Sequence, residues 1–131
     1  MQVHTFKRVL MGAAAKVANE YLKTFYSGDV AGARATVTED FSFAGPFVQT
    51  SSRDAFFQSA APLARIVRGH RLLKQWEDGD DVCSFYELNL ETPAGKGAVL
   101  MSEWHTVRRS KLVSARVVFD TAAFRALVPT R

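Results

Sequence analysis

The first part of the chain shows helical periodicity. Apolar residues recur every three or four positions between residues 8 and 27, which places them on one face of a helix. These residues are Leu10, Ala14, Val17, Tyr21 and Phe25. Gly28 suits the end of that helix, and Asp29 can cap a second, short helix over 30–37.

A short strand and a third helix come next. Residues 41–44 alternate between apolar and polar, which predicts a strand after a turn at 38–40. Ser51 or Ser52 can then cap a helix. Pro62 falls inside that helix, and we expect it to kink or divide the helix.

From residue 68 onward the apolar positions recur with period two. The pattern predicts four strands joined by short turns, at 68–77, 82–91, 97–108 and 111–119. Asp120 can cap a closing helix over 121–128. Helices followed by a strand meander are typical of an α+β fold, in which one curled antiparallel sheet carries its helices on one face. We therefore predict a single domain over 1–131.

Composition excludes several classes of protein. The chain has 131 residues, of which 47% are hydrophobic and 23% charged, which is ordinary for a globular domain. The net charge of +4 is spread along the chain, so we do not expect a nucleic-acid site. No apolar stretch reaches the roughly 18 residues of a membrane span.

The sequence also predicts neither a metal site nor a cofactor site. A single cysteine, Cys83, cannot form an intramolecular disulfide, and a lone reduced thiol fits the cytoplasm. The histidines, His4, His70 and His105, do not have the spacing of metal ligands. We also find no glycine-rich phosphate loop.

Several short segments point to a known family. They lie at 21–25, 27–29, 38–41, 52–57, 91–95, 102–105 and 117–120. In this order and at this spacing they resemble the NTF2-like superfamily, in its SnoaL-like or ketosteroid-isomerase-like branch, over about residues 12–125. The resemblance implies a cone, also called a cystatin-like roll, in which a strongly curved antiparallel sheet wraps a long N-terminal helix. It also implies an apolar cavity at the open end.

The resemblance to ketosteroid isomerases implies positions for acid–base groups. Tyr21 falls where those enzymes keep a tyrosine donor, and Glu103 falls where they keep a protonated carboxylic acid. An apolar cavity raises the pKa of a lone carboxyl, and a neutral acid can polarise a substrate oxygen. His105 lies two residues from Glu103 and so shares its strand face, within reach of a hydrogen bond.

The position of the general base in ketosteroid isomerases carries no acidic residue here. The general base of ketosteroid isomerases is an aspartate before a proline, and here Gly45 precedes Pro46. Glu87 could substitute, since the resemblance points its face of the strand inward. The epoxide-hydrolase branch keeps an Asp-Arg-Asp set that activates water. Glu87 could match one of its acids, but Phe85 stands where the arginine would be and Val117 stands near the position of the other acid. We therefore expect neither reaction by its known route.

Three functions stay open at this point. The first is a cofactor-independent enzyme that isomerises, cyclises, dehydrates or hydrates a small, mostly apolar, oxygen-bearing molecule. In it, Tyr21 and Glu103 would hold an oxygen, and His105 or Glu87 would move a proton. The residues expected to shape the pocket are Phe25, Phe43, Phe47, Phe57 and Phe85. The second function is a non-catalytic binding protein with the same cavity, and the third is a dimerising structural module. The sequence therefore leaves open whether the protein is an enzyme.

The outer face of the sheet predicts a partner. By strand parity, Trp104 and Tyr86 face away from the cavity, together with the apolar Leu88 and Leu100. Large aromatic side chains on a sheet face are typical of an interface. Family members commonly pair through this face, and we expect a two-fold homodimer.

Overall fold

The computed structural model describes residues 12–129. Helices and strands follow one another in an α+β order. Their bounds are α1 (Ala13–Tyr26), α2 (Val30–Arg34), β1 (Val37–Ala44), β2 (Gln49–Thr50), α3 (Arg53–Ala64), β3 (Val67–Asp78), β4 (Asp81–Thr92), β5 (Gly95–Arg108), β6 (Lys111–Phe119) and α4 (Thr121–Leu127).

The strands form one six-stranded sheet in the order β2-β1-β6-β5-β4-β3. Neighbouring strands are antiparallel except β1 and β6, which pair in parallel. Helix α1 packs across β3, β4, β5 and β6. Its buried face carries Ala14, Ala15 and Ala18, whose small side chains let the helix backbone approach the sheet closely.

Two-residue loops fix the register of the meander. Asp78 pairs with Asp81 across the first loop, and Thr92 pairs with Gly95 across the second. The third loop, Arg109-Ser110, has positive φ at both residues, which matches the twist of tight hairpins. Because opposite residues of antiparallel strands share a face, these loops decide which side chains point toward α1.

The predicted helix caps are largely confirmed. The Asp29 carboxylate accepts from the Gly32 backbone N–H at 2.9 Å, and the Asp120 carboxylate accepts from that of Ala123 at 3.1 Å. Ser52, not Ser51, caps α3. These short polar side chains satisfy backbone donors that a helix start leaves unpaired.

Three features differ from the prediction. Residues 38–40 belong to β1 and are not a turn, because β1 pairs with β6 from Val37 onward. Helix α2 accordingly ends at Arg34. Pro62 does not divide α3, since in the last turn its missing N–H removes only one helical hydrogen bond. Leu10 lies outside the described residues.

Candidate functional site

An apolar pocket of about 440 Å³ opens between the inner sheet face and the helices. Aromatic rings from α1, β1, α3, β6 and α4 and from the loop after β1 line it, and they include Phe25, Phe43 and Phe47. The volume is within the range of about 300–1,000 Å³ that small-molecule sites occupy. Among the described residues that line the pocket, Glu103 carries the only charged side chain.

Glu103 lies within a chain of hydrogen-bonded side chains. Its side chain is buried, with 2% of the residue exposed. The Tyr86 hydroxyl donates to Glu103 Oε1 at 2.6 Å, and the hydroxyls of Tyr26 and Tyr86 are 2.7 Å apart. His105 Nε2 lies 3.0 Å from Glu103 Oε2. Each carboxyl oxygen therefore has one partner.

The surroundings of His105 fix its tautomer. The ring is fully buried, and Nδ1 has no hydrogen-bond partner among residues 12–129. A proton on Nδ1 would be a buried donor without an acceptor, which is costly. A proton on Nε2 has an acceptor, so Nε2–H donates to Glu103 Oε2. In this arrangement Glu103 accepts hydrogen bonds from Tyr86 and His105.

Tyr21 supplies a second polar group to the pocket. Its ring stacks on Phe25 at 5.5 Å and meets the His105 ring edge-on at 5.3 Å. Burial, reinforced by the nearby Glu103 charge, raises the pKa of Tyr21 well above its usual value, so the phenol stays protonated. Its hydroxyl has no hydrogen-bond partner among the residues that the structure describes, and so it can donate to a ligand.

The structure corrects the predicted orientation of β4. Ser84 pairs with Glu103, and Glu87 pairs with Leu100, so Glu87 lies on the outer face. There its carboxylate accepts from the Arg71 guanidinium at 3.1 Å. Glu87 cannot serve the pocket as a base, because the hairpin register turns it away.

The same register places other β4 residues on the face opposite to the predicted one. Phe85 pairs with Ser102 on the outer face and does not line the pocket. Tyr86 and Leu88 are buried on the inner face, so neither belongs to an exposed patch. Phe57 is also buried outside the pocket, where the Arg34 guanidinium lies 5.5 Å from its ring.

Tyr26 and Tyr86 are functional candidates that the sequence reasoning missed. Counting back from the two-residue loop at 93–94 would have put Tyr86 on the same face as Glu103. No sequence signal joins Tyr26 to Tyr86, which lie 60 positions apart. His70 is partly buried and packs against both tyrosine rings, and burial lowers its pKa.

The described residues carry neither a candidate metal-binding group nor a candidate membrane-spanning helix. Within residues 12–129, no group of three or more His, Cys, Asp or Glu is arranged to hold a metal ion. No helix in this part of the chain has the length and apolar character needed to span a bilayer. His4 lies outside the described residues.

Solved structures superpose on most of this chain. An NTF2-like protein of unknown function from Burkholderia pseudomallei aligns with a TM-score of 0.79 and 15% identity, covering 92% of this chain and 100% of that one. The chain has the NTF2-like fold. No protein-family model and no curated protein sequence matches it.

Of two further structures with this fold, one was co-crystallised with a small molecule and the other is an enzyme. TerC, co-crystallised with polyporic acid, aligns with a TM-score of 0.78 and 18% identity, covering 91% of this chain and 100% of TerC. An LEH-like epoxide hydrolase from M. tuberculosis aligns with a TM-score of 0.73 and 16% identity, covering 88% and 90%. At such identities the NTF2-like fold is shared, and the chemistry must be argued from the site.

Proposed function

We propose that the pocket binds a small, mostly apolar, oxygen-bearing molecule and transfers a proton on it without a cofactor. The reaction class is isomerisation, cyclisation or dehydration. One observation carries the proposal: a buried carboxylate and a tyrosine hydroxyl without a hydrogen-bond partner among the described residues lie in a mostly apolar pocket, whose other hydroxyl groups belong to Tyr26 and Ser59. Such an arrangement is typical of acid–base sites.

Each polar group has a distinct role in this proposal. The Tyr21 hydroxyl donates a hydrogen bond to the ligand oxygen and stabilises negative charge that develops there. Glu103 accepts a proton from the ligand and returns it at another position, so the proton count balances. His105 does not line the pocket, and with Tyr86 it positions the Glu103 carboxylate.

Proteins that share the fold support this class of function. One is an epoxide hydrolase, and another was crystallised with a small molecule, polyporic acid. The epoxide-hydrolase route does not transfer to this chain, because Glu87 and Phe85 lie on the outer face of the sheet.

Binding without turnover is the second candidate. It is favoured by the pairing of both Glu103 oxygens with donors from Tyr86 and His105. Buried polar groups with satisfied hydrogen bonds are common in structural clusters. In that case Glu103 would orient a ligand and would not exchange protons with it.

Deuterium incorporation separates the two candidates. Small cyclic ketones are incubated with the protein in D₂O, and binding and exchange at the carbon next to the carbonyl are followed by NMR. We expect exchange with the wild type, loss of exchange in Glu103→Gln and a marked decrease in Tyr21→Phe. Glu87→Gln is the matched control and should exchange normally, since Glu87 faces outward. Ketone binding without exchange supports the second candidate, and absence of binding contradicts both.

Ketosteroid isomerisation is expected to be negligible, because Gly45 stands at the position of the family's base. Gly45→Asp should restore little activity. A Cβ atom at residue 45 would lie 2.9 Å from Val117 Cγ1 and 3.2 Å from Phe43 Cε2, so these side chains must move. We expect a loss of about 1–3 kcal/mol in the free energy of unfolding.

Two assays check this prediction. Urea unfolding of Gly45→Asp is compared with Gly45→Ala, which adds the Cβ atom without a carboxyl group. Turnover is measured on a β,γ-unsaturated ketosteroid. Robust isomerisation by the wild type or by Gly45→Asp would show that the pocket tolerates a base at this position or already has one.

We propose further that two copies of the chain pair through the outer sheet face. Trp76, Cys83, Trp104 and Arg116 lie side by side across β3 to β6 on that face. Trp104 is 46% exposed, and the Arg116 guanidinium lies 5.7 Å from its ring. Val118 and Leu100 add exposed apolar surface on the same face. Tyr86 does not contribute, because it is buried inside.

Trp104→Arg is expected to convert the dimer to a monomer, since it places a second cation beside Arg116 in the apolar patch. Light scattering at micromolar concentration measures the change in mass. Val30→Arg is the control, because Val30 is equally exposed but lies on α2, away from the sheet face. A monomeric wild type would contradict the proposed interface.

A further inference from the structure

We propose that the ligand of this pocket is a cation, an amine whose ammonium group pairs with Glu103 while an oxygen accepts from Tyr21. The inference rests on the proposed ligand-binding role of the pocket and does not require turnover. A small amino alcohol or amino ketone with an apolar body satisfies both groups.

The first reason is the charge composition of the site. The described lining contains no Lys, Arg or His, and its single charged side chain is Glu103. His105 contacts Glu103 at 3.0 Å but does not line the pocket, so the described lining itself presents no cationic side chain to a ligand. A nearby positive charge stabilises a buried carboxylate, so a ligand that brings a positive charge into the pocket is favoured there.

The second reason is the acceptor capacity that Glu103 has left. A carboxylate offers about four lone-pair positions. Tyr86 and His105 use one position on each oxygen, at 2.6 and 3.0 Å. The unused positions can accept N–H donors from a ligand in the pocket that Glu103 lines. An ammonium group has donors and no acceptor, which matches this need.

The third reason is the aromatic lining of the pocket. Rings of Phe25, Tyr26, Phe43 and Phe56 line the same pocket. The faces of aromatic rings attract cations, and the attraction increases where water is excluded. An anionic ligand would meet both the negative ring faces and the Glu103 charge, so the pocket discriminates against carboxylates.

Three probes of similar shape test the inference by isothermal titration calorimetry at pH 7. They are 4-phenylbutylamine, 4-phenylbutan-1-ol and 4-phenylbutanoate, which differ in the charge of one end group. For the wild type we expect the amine to bind at least tenfold more tightly than the alcohol, a difference of about 1.4 kcal/mol, and the carboxylate to bind most weakly.

Two variants assign the preference to one residue. In Glu103→Gln the amine and the alcohol should bind within about threefold of each other, that is, within about 0.7 kcal/mol. Glu87→Gln removes the same charge from the outer face and should keep the preference for the amine.

The outcomes separate this inference from the proposed function. If the alcohol binds the wild type as tightly as the amine, the charge preference is overturned and the pocket stands as a site for neutral ligands. If none of the probes binds, the ligand-binding role itself is contradicted. The wild-type ratio of affinities decides the question even if Glu103→Gln fails to fold, which circular dichroism would reveal.

Discussion

Replacing Phe56 with alanine is expected to lower the free energy of unfolding by about 3–5 kcal/mol. Phe56 is buried in α3, and its ring contacts aromatic side chains from α1, from β1 and from its own helix. The ring centroids lie 6.5 Å from Tyr21, 5.6 Å from Phe25, 5.3 Å from Phe41, 4.8 Å from Phe43 and 5.0 Å from Phe57. Truncation removes all of these contacts at once and enlarges the pocket beside Tyr21.

Phe47→Ala is the matched control for this substitution. Phe47 also lines the pocket, but it is 44% exposed and packs only at the mouth, against Phe119 and Phe124. Its truncation should have a clearly smaller effect, because less apolar surface returns to water. Urea unfolding measures both variants. An equal loss in the two would mean that Phe56 is not the centre of the aromatic core.

Tyr86→Phe is expected to lower the free energy of unfolding by about 1.5–3 kcal/mol. The substitution keeps the buried ring and removes the hydroxyl that donates to Glu103 Oε1 at 2.6 Å. One oxygen of a buried carboxylate then lacks a donor, and hydrogen bonds to charged groups are the stronger ones. The Tyr26 hydroxyl loses its partner as well.

Two comparisons isolate the carboxylate as the cause. Tyr26→Phe removes the neutral hydrogen bond between the two tyrosines and should cost only about 0.5–1.5 kcal/mol. In a Glu103→Gln background, Tyr86→Phe should have a smaller effect than in the wild type, which a double-mutant cycle measures. Equal effects in both backgrounds would show that the Tyr86 hydroxyl does not act through Glu103.

Local sequence signals predicted the features that depend on neighbouring residues. Asp29, Ser52 and Asp120 cap helices because a short polar side chain reaches a backbone N–H three positions on. The alternation along β5 placed Glu103 and His105 on one buried face. Tyr86 was within reach of the same reasoning, since a two-residue loop sets the pairing of β4 with β5.

The α+β order, the hairpins and the inner face of β5 follow from local patterns, because backbone geometry and side-chain alternation act over a few residues. The parallel pairing of β1 with β6 and the link from Tyr26 through Tyr86 to Glu103 do not follow from such patterns. Neither does the position of His105 Nδ1, which has no hydrogen-bond partner among the described residues. These features depend on how a curved sheet packs around α1, which brings together side chains from distant parts of the chain.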